Sequence, residues 1–314
     1  MRRIAFLFPG QGAQYVGMGQ EIADAYPTAN NVFDYANDCL NFDIKKLCFE
    51  GPEDELVKTE NTQPAILATS IAILNVIREL GFEAQITAGL SLGEYSSLVY
   101  SGALELSDAL KLVKKRGKFM QEAVPEGKGT MAAIMGLDRN EVNDIIKEAS
   151  VLGVIEGANY NCPGQIVLSG EVGAIEEACK IAKARGARKA VVLPVSAPFH
   201  CSLLEPAGIK LKKELDNIGF CKPDRKIISN VTADYVNDPN KIKELLVMQV
   251  SKSVLWEDTI ELMMNDGINS FIEIGPGKAL SSFTKKIAKK HGKKVEIYNV
   301  ENLETLNKLI ESLK

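Results

Sequence analysis

Short apolar runs rich in β-branched residues alternate along the chain with stretches of helical periodicity, and each run stops at a glycine or a polar turn. Residues 4–8, 86–90, 226–229, 270–274 and 295–300 read as buried strands, because a brief apolar run bounded by turn signals suits a strand covered on both faces. Residues 64–80, 107–123, 203–218 and 303–313 repeat their apolar positions with a helical period. Strands separated by helices need crossover connections. The pattern therefore predicts an α/β protein with a mostly parallel sheet covered by helices.

The rhythm changes between residues 125 and 195. A strand at 130–135 and a helix at 138–150 precede two strands, 153–159 and 165–169, joined across Asn161-Cys162-Pro163-Gly164. A helix at 173–184 and a strand at 190–195 complete the order βαββαβ, that of a ferredoxin-like unit. The expected organisation is a large α/β domain formed by residues 1–124 and 196–314, with a small subdomain, 125–195, inserted.

Composition narrows the class. A chain of 314 residues with 46% hydrophobic positions can build a large core. Its 37 Lys and Arg against 41 Asp and Glu give a net charge of -4, which argues against a general nucleic-acid-binding surface. The longest apolar stretch, residues 65–77, is broken by Thr69, Ser70 and Asn75, short of the ~20 residues of a membrane span. After Met1-Arg2-Arg3 the apolar run ends at Pro9-Gly10, too soon for a secretory signal. Six cysteines without a CxxC pair suggest neither a disulfide framework nor a metal site. A soluble, cytoplasmic monomer without a metal is expected.

Candidate chemistry starts at Gly89-Leu90-Ser91-Leu92-Gly93, a G-x-S-x-G turn that follows a predicted strand and opens a helix. Such a turn exposes a serine hydroxyl at a sheet edge, beside backbone N–H groups suited to an oxyanion. A serine nucleophile needs a base, and the chain has two histidines. His291 lies in the cationic stretch Lys289-Lys290-His291-Gly292-Lys293-Lys294, whereas His200 closes Pro198-Phe199-His200 near a strand exit, where α/β proteins gather catalytic groups. His200 is the expected base. Cys201 beside it is expected to be a small buried residue. No Asp or Glu between Ser91 and His200 stands in a convincing strand-end motif, so a carboxylate or a backbone carbonyl must fix the imidazole.

Arg116 falls among apolar residues. On a helical wheel Ala109, Leu112, Val113, Gly117, Phe119 and Met120 share its side, while Lys111, Lys114, Lys115 and Lys118 share the other. An inward arginine must meet an anion, either a protein carboxylate or the carboxylate of a substrate. Gly10-Gln11-Gly12 after the first strand fits neither a dinucleotide fingerprint nor a P-loop. It is either a tight turn or a second source of oxyanion N–H groups. Gly275-Pro276-Gly277 reads as a structural turn.

These motifs together resemble the malonyl-CoA:acyl carrier protein transacylases. Gly10-Gln11-Gly12-Ala13-Gln14, Gly89 to Tyr95, Arg116, Ser196-Ala197-Pro198-Phe199-His200 and Glu273 to Gly277 stand in that family's order and spacing. Asn61 to Ala65, Asn159 to Gln165 and Ser229 to Thr232 are also similar. The resemblance implies a hydrolase-like core with an inserted ferredoxin-like subdomain, Ser91 as acylated nucleophile and His200 as base. It implies backbone N–H groups of Gln11 and Leu92 as oxyanion hole, Arg116 as malonyl clamp and the Gln249 carbonyl as the histidine's orienter. Malonyl-CoA would be the substrate and the phosphopantetheine thiol of acyl carrier protein the acceptor, with no tightly bound cofactor and no role for nucleic acid or membrane. Three positions depart from the family: Leu90, where histidine is common, Ser253, where proline is usual, and Leu255, where a polar residue is common. The alternatives are a serine thioesterase or esterase, an acyltransferase serving a polyketide synthase, and a non-catalytic docking subunit. An acidic carrier protein would suit Lys285, Lys286, Lys289, Lys290, Lys293 and Lys294, or the lysines around Arg116.

Overall fold

The computed structural model describes residues 2–195 and 197–313, without the side chain of Leu313; Ser196, part of the histidine motif, lies outside the described residues. Among them run ten strands: β1 (Ile4–Phe8), β2 (Ile86–Gly89), β3 (Gly129–Met135), β4 (Ile155–Cys162), β5 (Gln165–Glu171), β6 (Lys189–Val192), β7 (Lys226–Ile228), β8 (Tyr235–Val236), β9 (Ser270–Ile274) and β10 (Glu296–Val300). Six of these form one sheet in the order β10-β9-β1-β2-β7-β8. Every pairing in it is parallel except β7 with β8.

Side-chain alternation explains why this sheet is covered twice. On β1, Phe6 and Phe8 enter one core cluster, with Ile66, Ile73 and Tyr95, while Ala5 and Leu7 enter another, with Trp256, Ile260 and Leu280. Phe271 and Ile272 of β9 divide in the same way. A period-2 strand with apolar residues on both faces is stable only between two layers of helices.

The other four strands form a separate antiparallel sheet, β4-β5-β3-β6, crossed by the helices Arg139–Ala149 and Val172–Ala184. Element order and sheet order together are those of a ferredoxin-like unit. Ala132, Ile134, Ile166 and Leu168 face these helices in a third cluster. Met131, Ala133, Ala158 and Val167 join the large core instead, so the opposite side of this sheet rests against the parallel unit.

Several element ends differ from the sequence reading. The helix expected from residue 64 spans Thr59–Glu79, with Pro64 inside it. Proline there forfeits only the bond to Glu60, near the helix start, and the packing of a nearly wholly buried helix outweighs that loss. Residues 203–218 divide into a 3-10 turn, Ser202–Leu204, and a helix, Glu205–Leu215. Strand β4 continues to Cys162, which shortens the hairpin to Pro163-Gly164, while β6 ends at Val192, three residues before the expected end. Among the described residues no helix is long and apolar enough to cross a membrane.

Candidate active site

The turn after β2 exists because three backbones pass very close together. A side chain on Gly89 would collide with the Gly93 carbonyl, and one on Gly93 with the Phe8 carbonyl at the end of β1. Only glycine fits at both positions. The helix Gly93–Tyr100 starts at once, and Ser91 between strand and helix is driven to a φ of 53°. That left-handed conformation costs a non-glycine residue on the order of 1–3 kcal/mol and persists only where the surroundings enforce it. Asn230, just past β7, does part of the enforcing. Its Oδ1 accepts from Ser91 N at 2.6 Å and its Nδ2 donates to Gly89 O at 2.7 Å.

His200 is the second strained residue, with a φ of 62°. The antiparallel sheet props its corner: Pro198 packs on Gly129 of β3, and Ser202 N donates to Glu156 Oε1 of β4 at 3.0 Å. Cys201 is buried with its Sγ on Pro198 O, the small packing residue the sequence suggested. The imidazole Nε2 lies 2.8 Å from Ser91 Oγ and Nδ1 lies 2.7 Å from the main-chain carbonyl of Gln249. A carbonyl only accepts, so Nδ1 carries the hydrogen and Nε2 is free to take the Ser91 proton. Burial, aided by the charge of Arg116, pushes the imidazole down to about 4, which keeps it unprotonated, and so free to accept a proton, at physiological pH. His291 is elsewhere, half-exposed, with its Nε2 against Glu261.

Arg116 projects from the buried side of the helix Leu106–Glu122 and is 1% exposed. Leu110 joins that side as well, and Phe119 is only half-buried. Among the described residues no carboxylate pairs with Arg116, so a protein salt bridge does not account for its burial. Its partners are neutral: Nη1 donates to Gln63 Oε1 at 2.9 Å, and Nη2 donates to Gln249 Oε1 at 2.9 Å and to Ser91 Oγ at 3.2 Å. Nε has no partner. A guanidinium with spare donors, aimed at a nucleophile and short of an anion, is prepared to receive one.

The main-chain N–H groups of Gln11 and Leu92 donate to no protein acceptor among the described residues. Gln11 follows β1 and Leu92 follows Ser91, so both stand at the same edge of the parallel sheet. The Gln11 side chain is anchored by Nε2 on Thr59 Oγ1.

Gln249 links these groups. Beyond its carbonyl on His200 and Oε1 on Arg116, its Nε2 donates to Ser91 O at 3.0 Å and to Glu94 Oε2 at 2.7 Å. Glu94 is buried, accepts also from Asn230 N at 3.1 Å, and is pushed up to about 7 by desolvation. Gln63, Glu94 and Asn230 received no role from the sequence. A signal existed, since Glu94 is a lone charge in the apolar start of a helix and Asn230 sits at a strand exit. The meaning of Glu94 and Asn230 depended on partners more than 130 residues away, and that of Gln63 on Arg116, 53 residues on. Leu90 packs against the cluster around Trp256, and Ser253 Oγ donates to Gly157 O at 2.6 Å. Among the described residues no group of side chains could hold a metal ion.

The acyl transferase domain family matches residues 5–308. The chain is 45% identical to the malonyl CoA-acyl carrier protein transacylase of Bacillus subtilis (strain 168), over 100% of this chain and 98% of that one. The crystal structure of malonyl CoA-acyl carrier protein transacylase from Clostridium perfringens superposes with a TM-score of 0.95 at 50% identity, covering 99% of this chain and 97% of the other. A malonyl-transacylase in complex with a type II PKS acyl carrier protein superposes with a TM-score of 0.95 at 40% identity, covering 99% of both chains.

Proposed function

The chain belongs to the malonyl CoA-acyl carrier protein transacylases of the acyl transferase family, and on that premise we propose that it moves a malonyl group from malonyl-CoA to the thiol of acyl carrier protein. The observation that carries the reading is the convergence on Ser91 Oγ of a neutral base, His200, and a buried arginine that no carboxylate pairs with among the described residues.

In the first step malonyl-CoA enters with its free carboxylate on Arg116. Ser91 Oγ attacks the thioester carbonyl as His200 Nε2 takes its proton. The N–H groups of Gln11 and Leu92 hold the oxyanion, and the Gln249 carbonyl holds the imidazolium that forms. The tetrahedral centre collapses, the C–S bond breaks, and the coenzyme A sulfur leaves with the proton from His200. In the second step the phosphopantetheine thiol of the carrier protein gives its proton to His200 and attacks the malonyl-serine ester. Ser91 leaves as the hydroxyl, so the kinetics are ping-pong. Acetyl-CoA supplies no carboxylate to Arg116 and should be a poor substrate.

Residues 125–195 read as a subdomain inserted between 1–124 and 196–314, which the separate sheet and its own core support. A cytoplasmic setting, suited to six free cysteines, and a product used for fatty acid synthesis complete the reading. Both lysine groups stay candidates for the carrier-docking face: Lys290 pairs with Glu257 and Glu261, and near Arg116 Lys115 pairs with Glu214 and Lys118 with Glu122.

The test is intact-mass spectrometry after mixing with malonyl-CoA. One malonyl group should persist on the wild type, be absent from Ser91→Ala, and pass to added carrier protein. Immediate release of free malonate would instead mark a thioesterase.

A further inference from the structure

We propose that Glu94 is a positioning residue for malonyl selection: its buried carboxylate sets which way the Gln249 side-chain amide faces, and so keeps Arg116 aimed at the acyl site. The inference deepens the function above and rests on Arg116 receiving the malonyl carboxylate.

A glutamine amide has an accepting end and a donating end, and turning it over exchanges them. In Gln249 the accepting end faces Arg116 Nη2 at 2.9 Å, and the donating end faces Glu94 Oε2 at 2.7 Å and Ser91 O at 3.0 Å. All four residues are buried, so water does not rescue a mispaired donor. Turned over, the Gln249 amino group would meet the guanidinium donor to donor. Arg116 would then lose one of the two amide oxygens that hold it, keeping only Gln63 Oε1. Two groups fix the amide against this: the cation draws its oxygen, and the accepting Oε2 of Glu94 draws its amino group. Glu94 also anchors Asn230 through the backbone N–H, and Asn230 in turn holds Ser91 N and Gly89 O.

The bond from His200 to Gln249 uses the main-chain carbonyl at the end of the helix Pro239–Gln249, which does not move when the side-chain amide turns. Losing the acceptor at position 94 therefore spares the bond that holds the base; a loosened Asn230 or Ser91 lowers transfer of both acyl groups alike, and the displaced arginine adds a loss for malonyl alone. An acetyl group makes no use of Arg116. The signature is a selective loss for malonyl, whereas a merely structural residue would lower transfer of both acyl groups alike.

The test compares Glu94→Leu, Glu94→Gln and Arg116→Ala with the wild type, using malonyl-CoA and acetyl-CoA. Rates are normalised to the Ser91 sites labelled by a serine-directed fluorophosphonate, so that a partly unfolded variant is counted only for its competent sites. Glu94→Leu should lower the malonyl-to-acetyl ratio of kcat/KM at least about tenfold, mainly through the malonyl-CoA KM. Glu94→Gln keeps an oxygen that accepts from both Gln249 and Asn230, and should hold the ratio within about threefold of wild type. If Arg116→Ala is selective while Glu94→Leu keeps the wild-type ratio, Glu94 has no positioning role. Equal damage from Glu94→Gln and Glu94→Leu also overturns the proposal, because the accepting oxygen would then be irrelevant. An Arg116→Ala enzyme that treats both acyl groups alike removes the clamp itself, and the proposal with it.

Discussion

The two sheets are both covered by helices, yet they stand differently to the candidate site: the parallel one carries the turn of Ser91, and the antiparallel one braces the corner of His200. In the parallel sheet the C-terminal ends of β1, β2 and β7 lie along one edge, and the chain leaving them carries Gln11, Ser91 and Asn230. Parallel strands make such convergence automatic, since every strand exits on the same side and the next helix begins there with free N–H groups. The antiparallel sheet sends alternate strand ends in opposite directions, so its strand exits do not converge on one edge. It acts as a wall, propping the His200 corner through Gly129 and Glu156 and zipping its edge strand β4 onto residues 253–254. A catalytic edge and a supporting wall should respond differently to damage.

Arg116→Ala is the largest expected difference after loss of the nucleophile itself. It should lower malonyl transfer about a hundredfold more than acetyl transfer, the order expected when a site built for a charged partner is left without it. Steady-state kcat/KM for the two CoA esters measures this, and equal losses would sink the clamp. The same variant should shift the acid limb of the acetyl-transfer profile. Protonated His200 cannot take the Ser91 proton, so activity falls as pH drops through the imidazole pKa. In the wild type that pKa is about 4, lowered first by burial and then by the Arg116 charge. Removing the charge should move the limb upward, while burial still holds it below the ordinary value. A limb that stays in place would mean the arginine's field does not reach the base.

The sheets also differ in what their glycines tolerate. Gly93→Ala puts a methyl group into the Phe8 carbonyl and should cost at least about 1–3 kcal/mol, because the surrounding strands cannot move apart. Gly173→Ala, in the helix over the antiparallel sheet, meets nothing and should be neutral or raise stability by up to about 1 kcal/mol. Urea unfolding of both variants decides the matter. A Gly93→Ala protein as stable as the wild type would show that the elbow is looser than its close contacts imply.

The sequence revealed features whose cause is local. Strand β1 and the strand–turn–helix around Ser91 are readable because apolar alternation, two glycines and a helix start all lie within a few residues. Arg116 stood out for a similar reason, as one cation against the grain of its own helix. Gln249 could not be read this way. Nothing in residues 239–249 tells that a carbonyl there meets His200 or that the amide bridges Arg116 and Glu94, since each partner comes from a different crossover. Family resemblance supplied the carbonyl, but the amide bridge appears only once the chain is folded. Two-residue β8 escaped for want of length, and the start of the helix Thr59–Glu79 because Pro64 mimics a first-turn proline.

The smallest effect should come from the seam between the units. Ser253, where the family usually has proline, donates its hydroxyl to Gly157 O of β4. Its neighbour Val254 exchanges main-chain bonds with Ala158 and Tyr160, and Leu255 N donates to Asn230 O. The hydroxyl is one of several bonds closing this seam. Ser253→Ala should cost about 1 kcal/mol in urea unfolding and change malonyl transfer less than about twofold. Ser253→Pro should restore stability without touching the rate, because no backbone bond from the residue 253 N–H is made to a protein acceptor among the described residues. A large rate loss in either variant would mean that the wall does more than prop the edge. Position 253 lies four residues from the carbonyl that holds His200, so the route would be a displaced Gln249, visible as an equal loss for malonyl and acetyl groups.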